Sequence, residues 1–251
     1  MKQLTYFLLF ALMSLAACEN SSKKGVQAQS PLTKVEGPQL AYVLPSPKTD
    51  GQVSLEQTLE NRRSRRDFID RSLSAEQLSQ ILWAAYGVTN PNTDNPSLMG
   101  GLRTAPSAGA VYPFEIYAII GNVEGIEAGV YKYIAKEHKI IRIIDRDLRE
   151  ELSTAALGQG SIRKAPVSIF YSAVYSRMEE RYGDRGRDRY VCMDLGHSAQ
   201  NIYLQAEALN LGTCAVGAFI DEKVAEVLQL QEEEKPLYIM PVGHYNRRPK
   251  M

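Results

Sequence analysis

Three histidines and three cysteines are too few, and too scattered, to build the sites those residues usually make. His138, His197 and His244 stand at no ligand-like spacing and no CxxC pair occurs, which argues against a metal centre. Neither a G-x-S-x-G elbow nor a Walker-type phosphate loop is present, so hydrolase and phosphate-transfer readings lose their usual support. No excess charge of either sign exists: 29 Lys and Arg balance 29 Asp and Glu. A chain so balanced has no global reason to bind nucleic acid, and any basic cluster in it is a local device. No internal repeat is present.

What is there is the profile of one ordinary globular domain, 251 residues long with 44% hydrophobic and 23% charged residues. The N-terminus stands apart. "MKQLTYFLLFALMSLAAC" has an early lysine, an apolar run from Leu4 to Leu15 and then small residues, the layout of an export signal too short to be a transmembrane helix. Its end resembles the lipobox of bacterial lipoproteins, which implies removal of residues 1–17 and lipidation of Cys18. The alternative is a plain signal peptide with an incidental cysteine. Two cysteines then remain, Cys192 and Cys214, both in apolar surroundings that suggest packing, with their pairing left open. Residues 18–53 are polar and rich in Pro, Ser and Lys, and read as a tether whose more apolar middle, "PQLAYVLPSP", lies along the domain surface. The folded domain is expected over residues 54–251.

Within it, Ser54 with Gln57 and Ser74 with Gln77 read as capping boxes opening two helices, the second closed by Gly87. A long Asn-, Pro- and Gly-rich loop leads to the strand "FEIYAIIG", then a hairpin pairing Val130–Tyr133 with Ile140–Ile144. "DLREELSTAALGQG" is a helix with a glycine stop. "PVSIFYSAVY" is apolar enough for a central strand covered on both faces. The longest helix spans "YVCMDLGHSAQNIYLQAEALNLG", followed by a short helix at "DEKVAEVLQL" and a last strand at "PLYIMPVGH". Strands and helices mix without strict alternation, which predicts an α+β fold.

The strongest local signal is "ENRRSRRDF", with four arginines around one serine. Guanidinium forks match phosphate oxygens, so the cluster suits a dense anion; a solvated basic turn is the plainer alternative. Three other segments decide between them. "RTAPSAGAVYPFEIYAII", "MDLGHSAQNIYLQAEALNLGTCAVGAF" and "MPVGHYNRRP" follow the cluster in an order that resembles the FMN-dependent nitroreductase family, and "PSAGAVYPFE" resembles its azoline-oxidising dehydrogenases. The likeness runs from about Ser54 to Arg248.

That resemblance implies a nitroreductase-like fold, a central, mostly antiparallel sheet flanked by helices, with FMN as cofactor. It places Arg62, Arg63 and Ser64 at the FMN phosphate and ribityl end and Arg66 by the flavin ring, and leaves Arg65 solvated. Pro106, Ser107, Ala108 and Gly109 would form a second wall against the ring, or simply a tight turn into the next strand; Tyr112 is a substrate-side aromatic or a core residue. Backbone N–H groups of Val216, Gly217 and Ala218 would lie near N5, where hydride arrives or leaves, and Arg247 or Arg248, with His244 a further candidate, would return to the phosphate. The small residues Gly196, Ser198, Ala199 and Ala206 suggest a helix through which two copies pair, with FMN at the interface of a homodimer. The implied activity is hydride transfer between a reduced donor, such as NAD(P)H, and a small organic acceptor or azoline-like substrate, with no acid or base nominated. Cytoplasmic azoline dehydrogenases and an exported, membrane-anchored chain fit poorly together, which favours a generic oxidoreductase. The alternatives are a non-catalytic flavin- or nucleotide-binding lipoprotein and a sensor of a phosphorylated ligand.

Overall fold

The computed structural model describes residues 29–91 and 101–246. Cys18 and the signal segment, Arg247 and Arg248 lie outside the described residues. Among the described residues no helix is long and apolar enough to cross a membrane.

The elements run β1 (Thr33–Val35), β2 (Ala41–Val43), α1 (Leu55–Asn61), α2 (Ala75–Tyr86), β3 (Val88–Asn90), β4 (Leu102–Arg103), β5 (Phe114–Ile120), β6 (Gly129–Ile134), β7 (Lys139–Ile144), α3 (Arg149–Ala155), α4 (Gly160–Lys164), β8 (Val167–Val174), α5 (Ser176–Tyr182), α6 (Val191–Ala208), β9 (Gly212–Thr213), α7 (Asp221–Leu228) and β10 (Glu234–Gly243). A one-turn 3-10 segment covers Ala108–Ala110, and a π-helical turn over Gly186–Tyr190 leads directly into α6. The main sheet has the order β1-β2-β7-β6-β5-β8-β10-β9 and its strand pairs are antiparallel. The α+β, mostly antiparallel expectation therefore holds.

Period-two alternation divides the core into two layers. Along β8, Val167, Ile169, Tyr171 and Ala173 face one cluster with α2 and α6, while Phe170 faces another with α3 and α7. On β5, Ile116 and Ala118 join the first cluster and Tyr117 and Ile119 the second. Every residue of β8 is buried, which explains its near-continuous apolar sequence. The buried carboxylate of Glu234 accepts hydrogen bonds from Tyr117 Oη, Ser172 Oγ and Lys132 Nζ, so the charge at the start of β10 is fully partnered.

Local signals read from sequence hold with one difference. Ser74 and Gln77 make the complete capping box of α2. At α1 the Ser54 side chain accepts the Gln57 N–H without a reciprocal bond, so the second box is half formed.

The tether boundary needs correction. Residues 33–45 belong to the folded body: β2 pairs with β7, β1 with β2, and Tyr42 and Leu44 are each 1% exposed. Two short strands with so few apolar positions carry no sustained period of their own, and only the waiting edge of β7 reveals them.

This N-terminal strap is clasped by His138, in the turn between β6 and β7. The Pro45 carbonyl accepts from Ser79 Oγ at 2.5 Å and lies 3.1 Å from His138 Nε2; Nε2 is 2.7 Å from Ser79 Oγ, and Tyr133 Oη is 2.8 Å from Nδ1. Since the serine donates to Pro45, Nε2–H donates and Nδ1 accepts, so the neutral ring satisfies every partner. Burial pushes the His138 imidazole below its usual value. In unfolded chain it takes a proton at about 6.5, whereas the folded chain resists protonation. Stability from this group is therefore present above about pH 6.5 and lost as pH falls toward the folded value. We expect the urea midpoint of wild type to drop more between pH 8 and pH 5.5 than that of His138→Gln. Parallel pH profiles for the two would remove the histidine from the account.

Candidate functional site

The two ends of the domain meet at the arginine cluster. The Ile69 N–H donates to the His244 carbonyl, Phe68 bridges Tyr245, and the Arg65 N–H donates to the Thr213 carbonyl at 2.8 Å. Residues 64–69, 212–213 and 244–246 thus run side by side. Gly212 permits the approach: a Cβ there would lie 2.7 Å from Arg65 Cβ and 3.0 Å from the Tyr245 ring. Between them opens a cleft of about 360 Å³ lined by Ser64, Arg65, Arg66, Asp67, Tyr245 and Asn246.

Each arginine has a distinct place. Arg62 lies over the Tyr203 ring, 5.3 Å from its centroid. Arg63 donates to the carbonyls of Glu60 and Arg62, closing the end of α1. Arg66 is exposed and close enough to Cys214 to oppose the upward push that burial gives that thiol. Arg65 corrects the sequence reading: it is half-buried, not solvated, with its guanidinium 4.7 Å from the Tyr245 ring centroid and its buried Nε unbonded. No ion pair joins any of the four to a carboxylate among the described residues.

Tyr203, on α6, organises this end and was not singled out from sequence. Its hydroxyl accepts the Ala215 N–H at 2.8 Å and shares a hydrogen bond with Ser64 Oγ at 3.1 Å, beneath Arg62. A tyrosine inside a long helix gives no local sign of such a task. Thr213 Oγ1 beside the cluster is likewise buried and unpartnered.

Of the three residues expected near N5, Val216 is excluded. Its N–H donates to Ile239 and its carbonyl accepts in return, so β10 has used it. Gly217 and Ala218 are exposed, and no hydrogen bond engages either N–H among the described residues. A paired and an unpaired residue look alike in "AVGAF"; strand pairing separates them.

Pro106, Ser107, Ala108 and Gly109 do not line the cleft of the same chain. They are held against α6 instead. Buried Asp194 accepts from Ser107 Oγ at 2.6 Å and from the Ala108 N–H at 3.2 Å, and Ser107 Oγ accepts the Tyr112 N–H. Burial raises the Asp194 carboxyl despite these donors. Gly109 (φ 60°), Ala110 (φ 54°) and Tyr112 (φ 55°) are all left-handed, a strained run that the aspartate and Arg181, bonded to the Gly109 carbonyl, hold in place. At Gly109 a Cβ would strike Tyr182 and Arg181, so here the glycine makes room for the chain's own side chains. Tyr112 is a core residue, 7% exposed.

The small residues of α6 also divide. Ser198, Ala199 and Ala206 are buried, with Ser198 Oγ donating to the Ala85 carbonyl, so they serve packing against α2 within one chain. Gly196 is exposed, with Cys192, Met193 and His197 beside it. Cys192 and Cys214 are both free thiols, and only Cys214 is packed inside.

The residues present fit a bound FMN. Among the described residues the cleft offers two guanidiniums without ion-paired carboxylates and a buried Nε lacking an acceptor, and Gly217 and Ala218, a few residues beyond β9, have unengaged N–H groups, all suited to an anionic, acceptor-rich ligand.

Comparison with known proteins identifies the family. The nitroreductase family profile matches residues 59–244. A protein of Methanocaldococcus jannaschii named as a candidate nitroreductase is 47% identical over 192 residues, 76% of this chain and 91% of its own. The FMN reductase (NADPH) of Bacillus subtilis is 24% identical over 201 residues, 75% of this chain and 64% of its own. A crystal structure from Ralstonia eutropha, titled as a candidate nitroreductase, superposes with a TM-score of 0.69 at 28% identity, over 87% of this chain and all of that one. The chain belongs to the nitroreductase family.

Proposed function

We propose that the chain is an FMN-dependent oxidoreductase that passes electrons from a reduced donor such as NAD(P)H to a small organic acceptor. The observation that carries this reading is the cleft where, among the described residues, Arg65 and Arg66 have no ion-paired carboxylate and Arg65 Nε lacks an acceptor.

When bound, FMN supplies the centre that accepts and donates hydride. Arg62, Ser64 and Arg65 would hold the phosphate and balance its charge, with Arg66 by the ring. Tyr203 keeps Ser64 and Arg62 in register beneath it. Gly217 and Ala218, exposed and with N–H groups unengaged among the described residues, would offer backbone donors to the ring edge. Ser107 to Gly109, fixed by Asp194, would wall the ring bound by a second copy if two chains pair along the exposed stripe of α6, so the proposed working unit is a homodimer with residues of both chains at each site. From the sequence signal we further propose export and lipid anchoring through Cys18. An azoline-type substrate is a narrower version of the reading, suggested by the sequence of the Pro106–Glu115 segment.

The test is the visible spectrum of the purified full chain, followed by anaerobic NADH or NADPH. A yellow protein that bleaches supports a working reductase. A yellow protein that no reductant bleaches favours the non-catalytic flavin-binding alternative, and a protein that stays colourless after FMN is supplied sinks the flavin reading.

A further inference from the structure

Two arginines share an unusual combination among the described residues: a guanidinium stacked on tyrosine, a buried Nε without a hydrogen-bond partner and no carboxylate within ion-pair distance. One is Arg65, in the cleft. The other is Arg103, on β4.

Arg103 is firmly placed. It pairs with Val88 on β3, and its neighbour Thr104 donates from N to the Gly87 carbonyl and from Oγ1 to the Trp83 carbonyl. Its Cζ lies 4.2 Å from the Tyr86 ring centroid and 4.6 Å from that of Tyr112, and those rings meet edge to face at 87°. Tyr133 is also within reach of its charge. Stacking on two rings offsets part of the cost of removing the cation from water, but a ring face accepts no hydrogen bond in the guanidinium plane. Its Nε–H therefore has no acceptor among the described residues. Other arginines of the domain, such as Arg142, Arg149 and Arg177, have carboxylates. A buried donor with no acceptor among the described residues calls for an explanation, and a ligand or ion is one.

Position adds the second argument. Arg103 precedes the Ala105–Pro113 segment by two residues and stacks on Tyr112, whose N–H is bonded to Ser107. Arg103 thus abuts the wall assigned above to the flavin ring, away from the phosphate cleft.

We propose that Arg103 is an oxyanion-binding residue for the small-molecule redox partner, taking a carboxylate or phosphate group through its guanidinium fork. This rests on the flavin reading for its role in turnover, though not for the binding itself. The ligand class is a small molecule with an oxyanion at one end; the rings of Tyr86 and Tyr112 hold the fork flat and fix its direction.

Binding is tested without flavin by the fluorine NMR signal of 4-fluorobenzoate added to the full chain, with 4-fluorobenzyl alcohol as the neutral match. Wild type and the cleft variant Arg66→Ala should both broaden the benzoate signal and leave the alcohol unchanged, and Arg103→Gln should lose the effect at least ten-fold in affinity. Should Arg103→Gln fail to fold, Arg103→Lys, which keeps charge and loses the fork, is expected to weaken binding in the same direction. Equal broadening in wild type and both variants, or none in wild type, overturns the proposal. With the flavin photoreduced, reoxidation by 4-nitrobenzoate but not by 4-nitrobenzyl alcohol should slow about ten-fold in Arg103→Gln if the acceptor carries the oxyanion. If the donor carries it, reduction by NADPH should slow instead. Equal slowing of charged and neutral acceptors, with NADPH unaffected, overturns the assignment. A chain that never takes up FMN defeats the flavin reading and leaves the benzoate result to decide Arg103.

Discussion

Replacing Arg62 and Arg66 together by alanine is expected to weaken FMN binding by about two to four orders of magnitude, because two charge-assisted hydrogen bonds of roughly 1.5–3 kcal/mol each would be lost. These two are the informative pair. Arg63 is tied to backbone carbonyls at the end of α1 and Arg65 is stacked under Tyr245, so removing either would disturb the fold along with the site. Arg66 has no ion pair among the described residues and Arg62 only leans on Tyr203, which predicts a variant that melts close to wild type. The measurement is a fluorescence titration of FMN against both proteins, with a thermal melt of each. Equal affinities would mean that the cluster is a solvated turn, and the proposed function would lose its main support.

A chain starting at Ser54 should be less stable than one starting at Gln29 by about 3–6 kcal/mol. Tyr42 and Leu44 are each 1% exposed, and full burial of such side chains contributes roughly 1.5–3 kcal/mol apiece. The loss is large against a typical total of about 5–15 kcal/mol. Two further costs act in the same direction. The Ser79 and His138 side chains would lose the Pro45 carbonyl, and β7 would become an unpaired edge bearing Ile140, Ile141, Ile143 and Ile144. Urea denaturation of both chains checks the stability, and light scattering checks the edge. Matching midpoints would show that the strap is a passive tether.

That second result bears on how such a domain is cut. The composition of residues 18–53 gives every local reason to place a boundary at Ser54. The sheet places it before Thr33. Strand pairing is a contact between segments one hundred residues apart, Ala41 with Ile141, and no local pattern encodes it.

By itself the sequence determined the elements whose signal is local. A capping box at Ser74 and Gln77, a stripe from Leu78 to Ala85 and a stop at Gly87 specify α2 without reference to anything outside it. An unbroken apolar run specifies β8, because a strand covered on both faces must be apolar on both. Motif order was enough for the family, and the arginines pointed to the cleft now proposed to take an anion because forked cations carry their chemistry in their own side chains. Tertiary structure alone decided what depends on partners. It separated Val216, whose N–H is used by Ile239, from Gly217 and Ala218, whose N–H groups are free among the described residues. It turned Arg65 from a solvated residue into a stacked one, and three small residues of α6 from a dimer seam into internal packing. It also exposed Asp194, Tyr203 and Arg103, whose roles arise from what sits opposite them. The physical reason is common to all: a hydrogen bond or a buried charge belongs to a pair, and a linear chain displays only one member at a time.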